Sequence, residues 1–184
     1  MSTKAGKKTD LGKLSWQTQG RKQIFQVGEI DRKATGFAYS GPPHQHARVA
    51  NCPANLTYTV GKSKDSDWCL GQWALGTWTV GFNLDSIPAG NKSAVLSVSL
   101  AGYSSGVSSD ILTNGVKVGN LTSASILSDP ALYRSGTLAG EWHYYEFPVP
   151  AGTLKKGANS VDFKCTRSTT WHGFMWDSVL LEWS

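Results

Sequence analysis

The polar run Thr166-Arg-Ser-Thr-Thr-Trp-His172 feeds the alternating segment Gly173-Phe-Met-Trp-Asp-Ser-Val-Leu-Leu-Glu-Trp183. It brings an arginine, an indole and an imidazole close together. Arg167 has the planar fork that pairs with a carboxylate in bidentate fashion. Trp171 offers a flat apolar face, which suits the C–H side of a sugar ring fringed with hydroxyls. Tyr103, Tyr133, Arg134, Trp142, His143 and His172 repeat these side-chain types in predicted loops or strand ends. This set has the chemistry for gripping a saccharide, with the arginines suited to acidic units. Trp68, Trp73, Trp78 and Trp176 lie within predicted strands and are expected to pack a core.

A second set is acidic. Glu29 and Asp31 sit where the first core strand begins, and Asp177 stands near the start of the last. Calcium needs six or more oxygens from adjacent segments, so Glu29, Asp31 and Asp177 form a candidate structural calcium site if the first and last strands are neighbours. Their alternative is capping of turns or pairing with Arg32 and Lys33. His44-Gln45-His46, with His143 or His172, could ligate zinc or copper, but no nearby Cys or acid completes that set.

Signals for catalysis are sparse. Asp65, Asp67, Asp110, Asp129, Glu141, Glu146 and Asp162 are scattered without the paired spacing of a glycoside hydrolase. There is no Gly-x-Ser-x-Gly elbow and no phosphate loop. A histidine beside an arginine imitates the base and charge clamp of a uronate eliminase. A minimal polysaccharide lyase is therefore the enzymatic alternative.

Short strand signals recur along the chain, joined by Gly, Pro and Asn turns. They fall at Ile24–Val27, Leu56–Val60, Trp68–Leu75, Thr77–Leu84, Ala94–Leu100 and Asp110–Val118, the last with an Asn114-Gly115 turn. Trp142–Val149, whose Pro148 marks an edge or strand end, Ser160–Cys165 and the terminal segment complete the set. Residues 34–51 read as a long loop and 123–132 as the one short helix. The pattern predicts an all-β fold, a jelly-roll β-sandwich. Residues 1–22 are expected to be a disordered tail plus a short strand at Leu11–Trp16 and a linker, and 23–184 the sandwich.

The bulk properties agree. The 184 residues suit one substantial core. Only 17% of them are charged, while 20 are Gly and eight are Trp, a composition that excludes disorder and coiled coil. The net charge of +5 is partly local to Lys4, Lys7, Lys8 and Lys13, so nucleic acid is not an expected partner. No apolar run is long enough for a bilayer span, so no membrane partner is expected either. Cys52, Cys69 and Cys165 leave two states open, one disulfide with a spare thiol or buried free thiols. The sequons at Asn55, Asn91 and Asn120 lean towards secretion. The opening residues lack the apolar stretch of a signal peptide, which points to a mature fragment or a protein kept inside the cell.

Four stretches, in order over residues 24–183, resemble the C-terminal domain (domain III) of rhamnogalacturonan lyases of polysaccharide lyase family 4. They are Gln26-Val-Gly-Glu-Ile-Asp-Arg-Lys-Ala-Thr-Gly-Phe37, Leu56-Thr-Tyr-Thr-Val-Gly-Lys-Ser-Lys-Asp-Ser-Asp-Trp68, Pro150-Ala-Gly-Thr-Leu-Lys-Lys-Gly-Ala-Asn-Ser-Val161, and Thr166 to Glu182. Leu11–Trp16 resembles the last strand of the fibronectin-like domain that precedes it in such enzymes. The resemblance implies a galactose-binding-domain-like sandwich that binds rhamnogalacturonan or another pectin-type polysaccharide or oligosaccharide. It also implies that elimination chemistry belongs to a large N-terminal domain this chain does not contain. The expectation is a secreted, non-catalytic accessory domain. A free-standing lectin, cytoplasmic in that case, and a purely structural domain are the alternatives.

Overall fold

The computed structural model describes residues 20–40, 51–90, 92–103, 106–122, 142–168 and 173–184. The expected strand at Leu11–Trp16, the expected helix at 123–132 and the His44-Gln45-His46 motif lie outside them. Ten strands form two sheets: β1 (Lys22–Val27), β2 (Leu56–Thr59), β3 (Gly71–Gln72), β4 (Gly76–Leu84), β5 (Ala94–Tyr103), β6 (Ser108–Thr113), β7 (Val116–Leu121), β8 (His143–Val149), β9 (Gly157–Arg167) and β10 (Phe174–Trp183). The first sheet runs β1-β10-β5-β8, with β3 also on β10, and the second runs β2-β4-β9-β6-β7. This is the all-β sandwich that the turn-rich strand pattern predicts.

Alternation builds the core. Leu96, Val98 and Leu100 of β5 are fully buried, as are Val179 and Leu181 of β10. Between the sheets, Trp68 meets Trp78 edge-on at 5.0 Å and Trp176 at 5.5 Å, while Phe163 meets Trp176 at 4.8 Å. Edge-to-face pairs of this kind contribute about 0.5–1.5 kcal/mol each beyond burial. Trp68, Trp78 and Trp176 thus pack the core as expected, whereas Trp73 is only partly buried against it.

The first and last strands are antiparallel neighbours, with Lys22 opposite Trp183 and Val27 opposite Val179. The end of β1 is therefore beside the start of β10, and the loop after β1 lies over that end of the sheet. Only Gly71 and Gln72 of the expected Trp68–Leu75 strand are in a ladder, because β10 offers partners there just at Phe174 and Met175. The rest is held singly: Ala38 N–H donates to Trp68 O at 2.8 Å and Trp176 N–H to Leu70 O at 2.9 Å. A disulfide joins Cys52 to Cys69, and Cys165 is a buried free thiol whose pKa burial pushes up. Of the two cysteine states left open by the sequence, the structure has the first.

Two asparagines fasten the opposite end. Asn114, in the left-handed region at φ 49°, donates to Thr153 O and Asn159 Oδ1, both at 2.8 Å. Asn159 also donates to Lys155 O and Gly157 O and accepts from Lys155 N–H. The Asn114-Gly115 hairpin and the turn before β9 are thus one hydrogen-bonded unit.

Candidate functional site

Asp177 lies in β10 where the register against β5 shifts between Trp176 and Ser178. That irregularity turns a buried carboxylate to the loop following β1. Oδ1 accepts the backbone N–H groups of Asp31, Arg32 and Lys33 at 3.1, 2.9 and 3.2 Å. Oδ2 accepts the Ser99 hydroxyl, and the Trp142 indole N–H at 3.3 Å. Three converging N–H groups are a nest, a concavity that binds anions. Burial raises the Asp177 pKa, and the donors from Ser99, the loop and Trp142 pull it partly back.

The three acids of the expected calcium set are placed as follows. Glu29 and Asp31 are exposed, and Asp31 Oδ1 accepts Lys33 N–H at 2.9 Å. Among the described residues no three His, Cys, Asp or Glu side chains are grouped to hold a metal. The pairing of the first and last strands brings the loop carrying Glu29 and Asp31 to Asp177, and the backbone amides of that loop bind its carboxylate.

The nest positions a cation of a different kind. Arg32 is left-handed at φ 67°, and its guanidinium lies over the Trp142 ring, 4.7 Å from the centroid. Trp142 is itself pinned, donating to Ser99 Oγ at 2.7 Å. Tyr144 follows it, with ring centroids 5.8 Å apart at an interplanar angle of 30°. Gly28 allows the close approach on which this depends, since a Cβ there would collide with the Asp177 carbonyl and the Phe37 ring. The product is a half-exposed aromatic pair capped by a guanidinium that has no carboxylate partner among the described residues.

The remaining predicted saccharide residues separate. Tyr103 is fully buried, stacks on Phe174 at 5.2 Å and donates its hydroxyl to Val107 O at 2.8 Å. It is the last residue of β5, a strand end as expected, but its ring belongs to the core. His143 is opposite Leu100 and stands in an inward row, with Tyr103 at 6.3 Å and Tyr145 at 6.4 Å. Arg167 is exposed at the end of β9, at the same end of the sandwich as the nest loop. Tyr133, Arg134, Trp171 and His172 lie outside the described residues. The structure therefore brings Trp142 together with two residues that the sequence reading did not assign to a sugar, Arg32 and Tyr144. The alternation Trp142, Tyr144, Glu146 against His143, Tyr145, Phe147 carried the signal for Tyr144. Nothing local carried it for Arg32.

The chain is similar to known proteins along most of its length. A family model described as "CBM-like: Polysaccharide lyase family 4, domain III" matches residues 23–181. The rhamnogalacturonate lyase of Dickeya dadantii is 31% identical over 159 residues, which cover 85% of this chain and 27% of that protein. The probable rhamnogalacturonate lyase A of Aspergillus clavatus is 24% identical over 180 residues, covering 95% of this chain and 33% of that protein. The chain thus spans about a quarter to a third of the length of these relatives. Among solved structures, a family 35 carbohydrate binding module from an environmental isolate aligns over 90% of this chain and 93% of its own, at 12% identity and a TM-score of 0.38. On the match over residues 23–181, the chain belongs to the CBM-like domain III family of polysaccharide lyase family 4.

Proposed function

We propose that this chain is a non-catalytic carbohydrate-binding domain. It would hold a rhamnogalacturonan lyase, through preceding fibronectin-like and catalytic domains, on plant cell-wall polysaccharide of the pectin type. The observation that carries the reading is the Arg32 guanidinium seated on Trp142 beside Tyr144. An aromatic face packs the C–H side of a sugar ring, and an arginine without an acid partner is free to take a uronate carboxylate. The inward turn of His143 supports a binding role over elimination, since a base must reach the proton it removes. The Cys52–Cys69 disulfide supports an extracellular setting, because such bonds persist in oxidising compartments.

Affinity electrophoresis in gels containing rhamnogalacturonan tests this, alongside ultraviolet absorbance of unsaturated products. The expected result is retarded migration with no rise in absorbance. Free migration in every pectic gel would leave a structural role instead, and a rise in absorbance would make the chain a minimal lyase.

A further inference from the structure

The two outer faces of the sandwich differ in chemistry. Across the second sheet, strand register sets Thr57, Thr79, Asp162, Leu112 and Lys117 in one row, without an aromatic. Thr79 Oγ1 donates to Asp162 Oδ1 there at 2.6 Å, which engages the row's one carboxylate. Across the first sheet, one row runs Ser178, Ser99, Tyr144 and the next Gln26, Leu180, Ser97, Glu146, with Glu182 opposite Gln23 in the row after.

Tyr144 is 40% exposed, yet it is not loose. Its hydroxyl donates to Ser97 Oγ at 2.9 Å, which lays the ring along the sheet above two buried serines. At one side stands the Trp142–Arg32 pair. At the other, Arg21 reaches from just before β1 to Glu146 on the far edge strand, with Nη1 to Oε1 at 2.6 Å. An aromatic ring is thus held flat on an accessible sheet face, between the Trp142–Arg32 pair and the Arg21–Glu146 pair.

We propose that this face is a shelf for one neutral sugar unit, stacked on Tyr144 with a hydroxyl donated to Glu146, whose Oε1 lies 3.5 Å from the Tyr144 hydroxyl. The proposal rests on the carbohydrate-binding reading and adds a second subsite to it. Carboxylates accept hydrogen bonds only, and sugar hydroxyls are the donors that match them. A uronate placed here would bring a like charge to the Glu146 carboxylate, only partly offset by Arg21, so the shelf favours a neutral unit. The Arg21–Glu146 pair is exposed and therefore weak, so Glu146 can turn an oxygen to a ligand at little cost. Trp142 separates this shelf from the Arg32 guanidinium, so an acidic unit and a neutral unit have adjacent, chemically distinct places.

The test compares the intact chain with Tyr144→Ala and Glu146→Gln in gels containing neutral galactan, neutral arabinan or polygalacturonate. Melting curves confirm that each variant is folded. The shelf requires retention on a neutral polysaccharide that Tyr144→Ala weakens several-fold to about tenfold, the loss expected for one good stacking contact. Glu146→Gln should weaken the same retention several-fold, and it supplies the answer alone if the Tyr144 variant does not fold. Neutral-polymer retention untouched by either change would overturn the shelf and leave the carbohydrate-binding reading standing, as would retention on polygalacturonate alone. Absence of retention in all three gels and in rhamnogalacturonan would overturn both.

Discussion

Arg32 donates its backbone N–H to Asp177 Oδ1 at 2.9 Å across 145 residues of sequence, and the same left-handed turn lays its guanidinium on Trp142. A buried carboxylate thus fixes an exposed cation through the backbone between them. Binding and stability are separable at this position. A non-glycine residue in the left-handed region costs about 1 kcal/mol, which glycine does not incur. Arg32→Gly is therefore expected to hold or raise the melting temperature while weakening retention on acidic pectic polysaccharide about tenfold. Thermal melts and affinity gels on the same preparation check both halves; a variant that binds as tightly as the parent removes Arg32 from the site.

Asp177 should impose a pH dependence on folding. Burial raises its pKa in the folded chain above the ordinary carboxylate value. The folded state therefore holds this proton more tightly than the unfolded one. The contribution to stability is complete below the unfolded pKa and is lost as pH rises through the folded value. Asp177→Asn keeps an acceptor for the three loop amides and removes the titration. Urea unfolding at neutral pH and at about pH 4 should show the parent gaining stability on acidification relative to this variant. Parallel behaviour of the two proteins would mean that Asp177 does not titrate abnormally. Asp177→Ala is expected to cost about 3 kcal/mol at neutral pH, since it strands several buried donors, and more on acidification, because it too lacks the titration.

The fold was largely legible from alternation and turn chemistry, and the site only in part. Leu96, Val98 and Leu100 share a face in the sequence and in β5, and Asn114-Gly115 makes its hairpin. The pairing of first and last strands, which places Glu29 and Asp31 near Asp177, also followed from strand order. The role of that meeting did not. A sequence displays carboxylates, but the amides of Asp31, Arg32 and Lys33 are invisible until the chain folds them into a nest. β5 extends three residues past the expected Leu100 and carries the Tyr103 ring into the core, which strand alternation alone did not mark. Arg32 and Trp142 are remote in sequence, so only coordinates can stack them.

The disulfide should matter to stability more than to binding. Cys52 and Cys69 close a loop with a separation of 17 residues. A crosslink of that length contributes about 3 kcal/mol by constraining the unfolded chain. The double variant Cys52→Ser, Cys69→Ser is expected to lose roughly that much in denaturant unfolding and to keep its polysaccharide retention once folded. Loss of retention at full stability would place the bridge in the binding surface.

Asn159 is expected to be among the most sensitive polar positions. Its side chain makes four hydrogen bonds, to Lys155 N–H, Lys155 O, Gly157 O and Asn114 Nδ2, at 2.7 to 2.9 Å. Asn159→Ala strands half-buried partners and should cost about 2–3 kcal/mol. Asn159→Asp keeps the acceptors but loses two donors, and should fall between. Chemical denaturation orders the three proteins, and an alanine variant within 0.5 kcal/mol of the parent, the ~0.5 kcal/mol scatter of neutral surface changes, would deny the network its role.

Because Lys22 lies opposite Trp183, the chain enters and leaves the folded unit at one pole. The nest loop, the Trp142–Arg32 stack and Arg167 crowd toward the other. Changes to either chain end therefore fall at the pole away from the nest loop and leave the Trp142–Arg32 stack unobstructed.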